Sequence, residues 1–223
     1  MIQAKKIALI HALEESKKPV WNSFHELWPE AILTNYSDLS LSIDRKLMQN
    51  ENTIGKRINE LAKIATAENV DAILYTCSAF GDEINQVKDQ YSIPILRPNE
   101  AAFYDAIHLK QKIKILVTFL PSLELLMKEV KSMMIEFNIQ LEVEGAYVED
   151  ALSLLQSGSV SEHDKRITNL ALDSDDSCTL ILGQFSMATA LSQINKRKPG
   201  LRVLTTPESS VLRLKRLLSS ELS

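Results

Sequence analysis

The chain has 223 residues, 45% of them hydrophobic and 24% charged, with 25 Lys and Arg against 29 Asp and Glu for a net charge of −4. This composition describes a globular protein with enough apolar mass for a sizeable core, and it excludes disorder and collagen-like repetition. The slightly acidic balance gives no electrostatic case for a nucleic-acid partner, and the length permits one domain or two of about 100 residues each.

Met1 to Lys6 runs directly into Ile7-Ala8-Leu9-Ile10, too short an apolar run for a signal-peptide core and without a small-residue cleavage site, so a cytoplasmic location is expected. Residues 115–127 are apolar but interrupted by Thr118, Pro121, Ser122 and Glu124, short of the roughly 18 to 20 residues that cross a bilayer, and no membrane partner is expected. The two cysteines, Cys77 and Cys178, form no CxxC pair and no Cys/His cluster at metal spacing, so neither a disulfide framework nor a metal site is expected. No Walker loop or GxGxxG occurs.

In chain order, Lys6 to His11 reads as a strand. Ile54, Ile58, Leu61, Ala62 and Ala65 recur at helical spacing behind a cap at Asn52 or Thr53. Residues 72–76 are apolar at consecutive positions, as in a strand covered on both faces of a parallel sheet, and end at Cys77. Ser78-Ala79-Phe80-Gly81 reads as a turn into a helix, and Ile93-Pro94-Ile95-Leu96 as a short strand whose Pro94 suits an end or edge. A strand at 115–118 follows, then helix core faces at Leu125-Leu126-Met127 and Met133-Met134. Residues 158–162 read as a loop entering a helix that carries His163-Asp164 in a structural role. A strand over 179–182 leads to Gly183-Gln184, and Lys196-Arg197-Lys198 before Pro199-Gly200 reads as a solvated helix end. Leu212, Leu214, Leu217 and Leu218 give the last helix an apolar docking face.

The two halves repeat. The intervals His11 to Cys77 and Thr118 to Gln184 are both 66 residues, and the paired positions lie 107 apart. The expected fold is therefore α/β, two similar lobes each with a mostly parallel sheet flanked by helices, related by a pseudo-twofold axis with a cleft between them. We assign residues 1–98 plus 207–223 to the first lobe and 99–206 to the second. Parallel sheets bind ligands outside the carboxyl ends of their strands, where His11, Cys77, Thr118 and Gln184 fall. Cys77 and Gln184 would then face each other across the cleft.

Cys77 is the candidate catalytic residue, because a helix N-terminus after the strand would lower its pKa and enrich the thiolate; the alternative is a small buried core residue. Ser78, Thr118, Ser186 and the Gln184 amide are candidate substrate-binding donors, against the plainer reading of the hydroxyls as helix caps. His11 is a further binding candidate, against a structural role. Cys178 begins its strand, roughly 20 Å from Gln184 at about 3.3 Å per residue, and is assigned to the fold.

Tyr75-Thr76-Cys77-Ser78-Ala79-Phe80-Gly81, residues 94–101, residues 116–123 and Leu182-Gly183-Gln184-Phe185-Ser186-Met187-Ala188, in that order and spacing, resemble the cofactor-independent aspartate/glutamate/hydantoin racemase superfamily over nearly the whole chain. That superfamily includes maleate isomerase and arylmalonate decarboxylase. The resemblance implies chemistry at a carbon next to a carboxylate or carbonyl, no metal or other cofactor, a small carboxylate substrate and a homodimer. In the two-thiol racemases one cysteine takes the α-proton and the other returns a proton on the opposite face. Here Cys77 matches the first cysteine and Gln184 stands at the second, where an amide is no acid or base near neutral pH. The resemblance thus implies an isomerase with one thiol. The alternatives are a single-thiol decarboxylase of malonate-type acids and a non-catalytic dicarboxylate-binding protein.

Overall fold

A computed structural model describes residues 4–220. Residues 1–3, at which a leader would begin, and 221–223, the end of the segment assigned to the first lobe, lie outside the described residues. Eight strands form two four-stranded sheets, parallel in every pairing. The first has order β2-β1-β3-β4 and the second β6-β5-β7-β8, the same order repeated.

The first sheet contains β1 (Lys6–His11), β2 (Ile32–Ser37), β3 (Ala72–Tyr75) and β4 (Ile95–Leu96). Its helices are α1 (Lys17–Leu27), α2 (Ser40–Leu47), α3 (Glu51–Ala67) and α4 (Gly81–Lys88). The period-two alternation of a strand sends Ala8, Ile10, Ile73 and Tyr75 to one face, where they meet Ile54, Ile58 and Ala62 of α3 and Ile84 of α4. It sends Ile7, Leu9, Ala72 and Leu74 to the other, onto Val20 and Phe24 of α1. Burial on both faces is why these strands read as unbroken apolar runs. Pro94 precedes the edge strand β4, and its carbonyl accepts from the Ile73 N–H at 2.9 Å.

The second sheet contains β5 (Lys112–Val117), β6 (Val143–Tyr147), β7 (Cys178–Leu182) and β8 (Arg202–Thr205). Ile113, Ile115, Val117 and Ile181 pack on α5 (Glu100–His108) and α6 (Pro121–Glu136). Leu116, Leu180 and Leu182 face α7 (Ala151–Gln156), α8 (Val160–Leu172) and α9 (Leu191–Arg197). The last helix, α10 (Thr206–Ser220), buries Val211, Leu214 and Leu218 in the core of the first sheet beside α1. The lobes also interlock through a side chain: Phe185, from the turn after β7, sits 1% exposed in that same first-sheet core.

Two details differ from the sequence reading. The edge strands β2 and β6 gave no apolar-run signal, since their residues alternate between exposed and half-buried. Neither Asn52 nor Thr53 caps α3. The helix starts at Glu51 after Asn50, whose left-handed backbone (φ 54) lets its carbonyl accept from Thr53 N–H and hydroxyl at 2.8 Å each. As expected, residues 78–80 form a turn, one of 3-10 helix, that leads into α4 at Gly81.

Candidate functional site

Cys77 and Gln184 follow equivalent strands, β3 and β7, and take nearly the same extended backbone (φ −117, ψ 123 and φ −137, ψ 145) before a 3-10 turn. Both line one cleft, together with Ser78, Thr118 and Ser186, so five of the six candidate residues meet there. The cleft is nearly closed, with about 20 Å³ of free space, enough for about one water. The rest of its wall is Leu13, Glu15, Ser16, Thr76, Phe119, Ser122, Leu152 and Phe185, which sequence reasoning did not single out. For Leu13, Glu15, Ser16, Thr76, Phe119, Ser122 and Phe185 a signal existed, since they sit within a few residues of the strand ends. Leu152 comes from α7, and nothing in its local pattern marks it.

The second wall is built around the Gln184 amide. Its Oε1 accepts from the Thr118 backbone N–H at 2.6 Å and the Thr118 hydroxyl at 2.7 Å. Two donors on one atom identify it as the oxygen and leave only the NH₂ end to offer further bonds. Gly183 precedes it, because a Cβ there would come within 2.8 Å of the Leu116 carbonyl. Its own carbonyl accepts from Asn99 Nδ2 at 2.8 Å, tying the β7 end to the start of α5. Across the cleft the Ser78 hydroxyl donates to Ser122 Oγ at 3.1 Å, joining the turn after β3 to α6.

His11 lies behind this surface, fully buried and outside the lining. Its Nδ1 is 2.8 Å from Thr76 Oγ1 and 3.2 Å from Ser16 Oγ, and its Nε2 is 2.8 Å from Asn35 Oδ1. The Ser16 hydroxyl donates to the Leu13 carbonyl at 2.8 Å. Burial lowers the His11 pKa, against the pull of the Asn35 hydrogen bond, so the ring is neutral at pH 7. A neutral ring that donates from Nε2 accepts at Nδ1, which orients the Thr76 hydroxyl on the cleft wall, while the Ser16 proton goes to Leu13.

Burial pushes the Cys77 thiol up to about 11, against smaller opposite pulls from the Ala79 N–H and the Arg45 guanidinium. This reverses the lowered pKa expected from its position. The turn after it is three residues of 3-10 helix rather than the start of a long α-helix, and a nearly closed cleft with room for about one water hydrates a thiolate poorly. Arg45 pairs with Glu83 and lies 5.2 Å over the Phe80 ring. Cys178 is the first residue of β7, 1% exposed in the second-sheet core, at the opposite end of the strand from Gln184.

Elsewhere, a depression of about 530 Å³ on the second lobe is lined by residues such as Arg166, Asp173 and Arg197 but by no thiol or hydroxyl. His163 and Asp164 are buried under the turn after β7, where the Asp164 carboxylate bonds His163 Nδ1 at 2.8 Å and accepts from the Thr189 hydroxyl at 2.6 Å. Among the described residues, no group of three or more His, Cys, Asp or Glu could hold a metal ion. No described helix is long and apolar enough to cross a membrane.

No protein-family model matches the sequence, and no curated protein does. Solved structures do. A glutamate racemase from Francisella tularensis subsp. tularensis SCHU S4, in complex with D-glutamate, superposes with a TM-score of 0.74 at 16% identity, over 97% of this chain and 82% of that one. An allantoin racemase from Pseudomonas fluorescens gives 0.72 at 15% identity, over 98% and 92%. The Picrophilus torridus aspartate racemase gives 0.69 at 14%, over 96% and 94%. The chain has the two-lobed α/β fold of these racemases.

Proposed function

We propose that this chain, built on the fold of glutamate, allantoin and aspartate racemases, is a cofactor-independent isomerase acting on a small carboxylate through one thiol, Cys77. The observation that carries the reading is the pairing of Cys77 and Gln184 at equivalent strand ends on one cleft, among the hydroxyls of Ser78, Thr118, Ser122 and Ser186. When a carbon beside a carboxylate loses its proton, negative charge moves onto the carboxylate oxygens. The Ser122 and Ser186 hydroxyls and the Gln184 NH₂ can stabilise that charge as they stand, since the Thr118 and Ser78 protons already go to Gln184 Oε1 and Ser122 Oγ. The NH₂ end of Gln184 adds such a donor but no proton-transfer group. Cys77 would therefore work alone on its face.

Two reactions fit one thiol. The thiolate can take the α-proton and return one from solvent to the same face, exchanging it with retention. It can also add to the double bond of an unsaturated acid: the sulfur–carbon bond forms as the π pair moves toward the carboxylate, the new single bond rotates, and elimination restores the double bond and the thiolate.

The test is proton NMR in D2O with maleate, aspartate, glutamate, hydantoins and substituted malonates, comparing wild type with Cys77→Ala. Deuterium uptake or isomerisation is expected, and Cys77→Ala should reduce it by about 10²- to 10⁴-fold with an unchanged thermal midpoint. Full activity in Cys77→Ala overturns the assignment, and carbon dioxide release from the malonates would make the chain a decarboxylase instead. The raised thiol pKa and near-complete burial of Cys77 favour a second reading, a carboxylate-binding protein without turnover. Binding with no chemistry on any compound would establish it.

A further inference from the structure

A second cavity of about 360 Å³ adjoins the closed cleft and shares Leu13, Cys77, Phe119 and Leu152 with it. It opens between α2 of the first lobe, which supplies Ser42, Ile43, Lys46 and Leu47, and α7 of the second, which supplies Leu152 and Gln156. We infer that this vestibule holds an apolar substituent on the substrate's reacting carbon, so that the preferred substrates are monocarboxylates carrying an aliphatic or aryl group rather than short dicarboxylates. The inference rests on the reading of the cleft as a carboxylate site.

The volumes require a second compartment. A cleft with room for about one water takes a carboxylate only by local opening, and it has no space for the rest of the molecule. The vestibule is the size of a small-molecule pocket and meets the cleft at the sulfur. Leu13, Ile43, Leu47, Phe119 and Leu152 make up the apolar part of its wall, and its polar groups are Ser42, Gln156 and the exposed Lys46, whose ammonium, screened by water, holds a second carboxylate only weakly. Lys46, at the vestibule, is the single cation among the described residues that line either cavity. Ile43 and Leu47 stand one helical turn apart, 57% and 56% exposed, although α2 already buries Leu41 in the core. A helix this short with a second apolar pair left open has surface available for a ligand.

The experiment is calorimetric titration of the full chain with propionate, 4-methylvalerate, phenylacetate, succinate and glutarate. Each buried methylene should tighten binding about three- to fourfold, so 4-methylvalerate and phenylacetate should bind at least about tenfold tighter than propionate and either diacid. The double substitution Ile43→Asp with Leu47→Asp, at positions more than half exposed and checked for folding by circular dichroism, should collapse that preference. Ile135→Asp, at an 80% exposed position outside the vestibule, should keep it. Equal or tighter binding of succinate or glutarate overturns the inference and leaves the carboxylate site standing, and so does a preference that survives the double substitution. If no acid binds, the carboxylate site falls and the vestibule assignment with it.

Discussion

Cys77 and Gln184 occupy equivalent backbone positions with opposite chemical capacities. The thiol can ionise but is held up at about 11 by burial. Any reaction that uses its thiolate should therefore speed up about tenfold per pH unit between pH 7 and 9, as the ionised fraction grows, which a pH profile of deuterium uptake would read. A flat profile would remove the thiolate from the rate-limiting step. Gln184 is structural as well as chemical, since its Oε1 serves both the N–H and the hydroxyl of Thr118. Gln184→Ala leaves those donors without their acceptor in a partly buried site and should cost about 1 kcal/mol in urea unfolding. Cys77, Ser78, Thr118, Gln184 and Ser186 were legible because strand ends in a parallel sheet are legible. The height of the thiol pKa was not, because it depends on how far the opposite lobe closes over the sulfur.

Helix α6 links the lobes. It carries Ser122, bonded to Ser78, and Glu129, whose carboxylate oxygen lies 3.4 Å from Arg97 Nε and close beside Gly81 at the start of α4. Burial, reinforced by nearby Glu100 and Asp82, raises the Glu129 pKa to about 7 against Arg97 and Lys88. A carboxyl raised from 4.5 to about 7 holds its proton more tightly when folded. Its contribution is thus fully present below about pH 4.5 and lost as pH rises through 7. Glu129→Gln should therefore be more stable than wild type at pH 8, by about 1 to 3 kcal/mol, and lose the advantage at pH 4.5. Urea midpoints at the two values would show it, and an equal difference at both would mean that the carboxyl does not titrate on folding. The apolar strands and the α6 core face were readable from periodicity. The edge strands β2 and β6 were not, since a half-exposed edge lacks the continuous apolar run of a covered strand.

At the scale of the molecule, the chain returns: α10, after all eight strands, completes the core of the first sheet, and Phe185 of the second half enters that core too. Leu214, fully buried there, should cost about 2 to 5 kcal/mol when cut to Ala. Because Phe185 ties the lobes together, far-ultraviolet and near-ultraviolet circular dichroism should report one coincident transition. Two separated transitions would show lobes that unfold independently. The sequence alone determined the repeated α/β plan, the parallel strands and the chemistry-bearing residues at their ends, because hydrophobic period and strand-end position are local properties written into consecutive residues. Only the tertiary structure decided that His11 sits behind the cleft rather than in it, that Leu152 lines the cleft, that the thiol is suppressed and that a largely apolar vestibule adjoins it. Those properties arise where segments far apart in the chain close on one another and exclude water, and no local pattern records that closure.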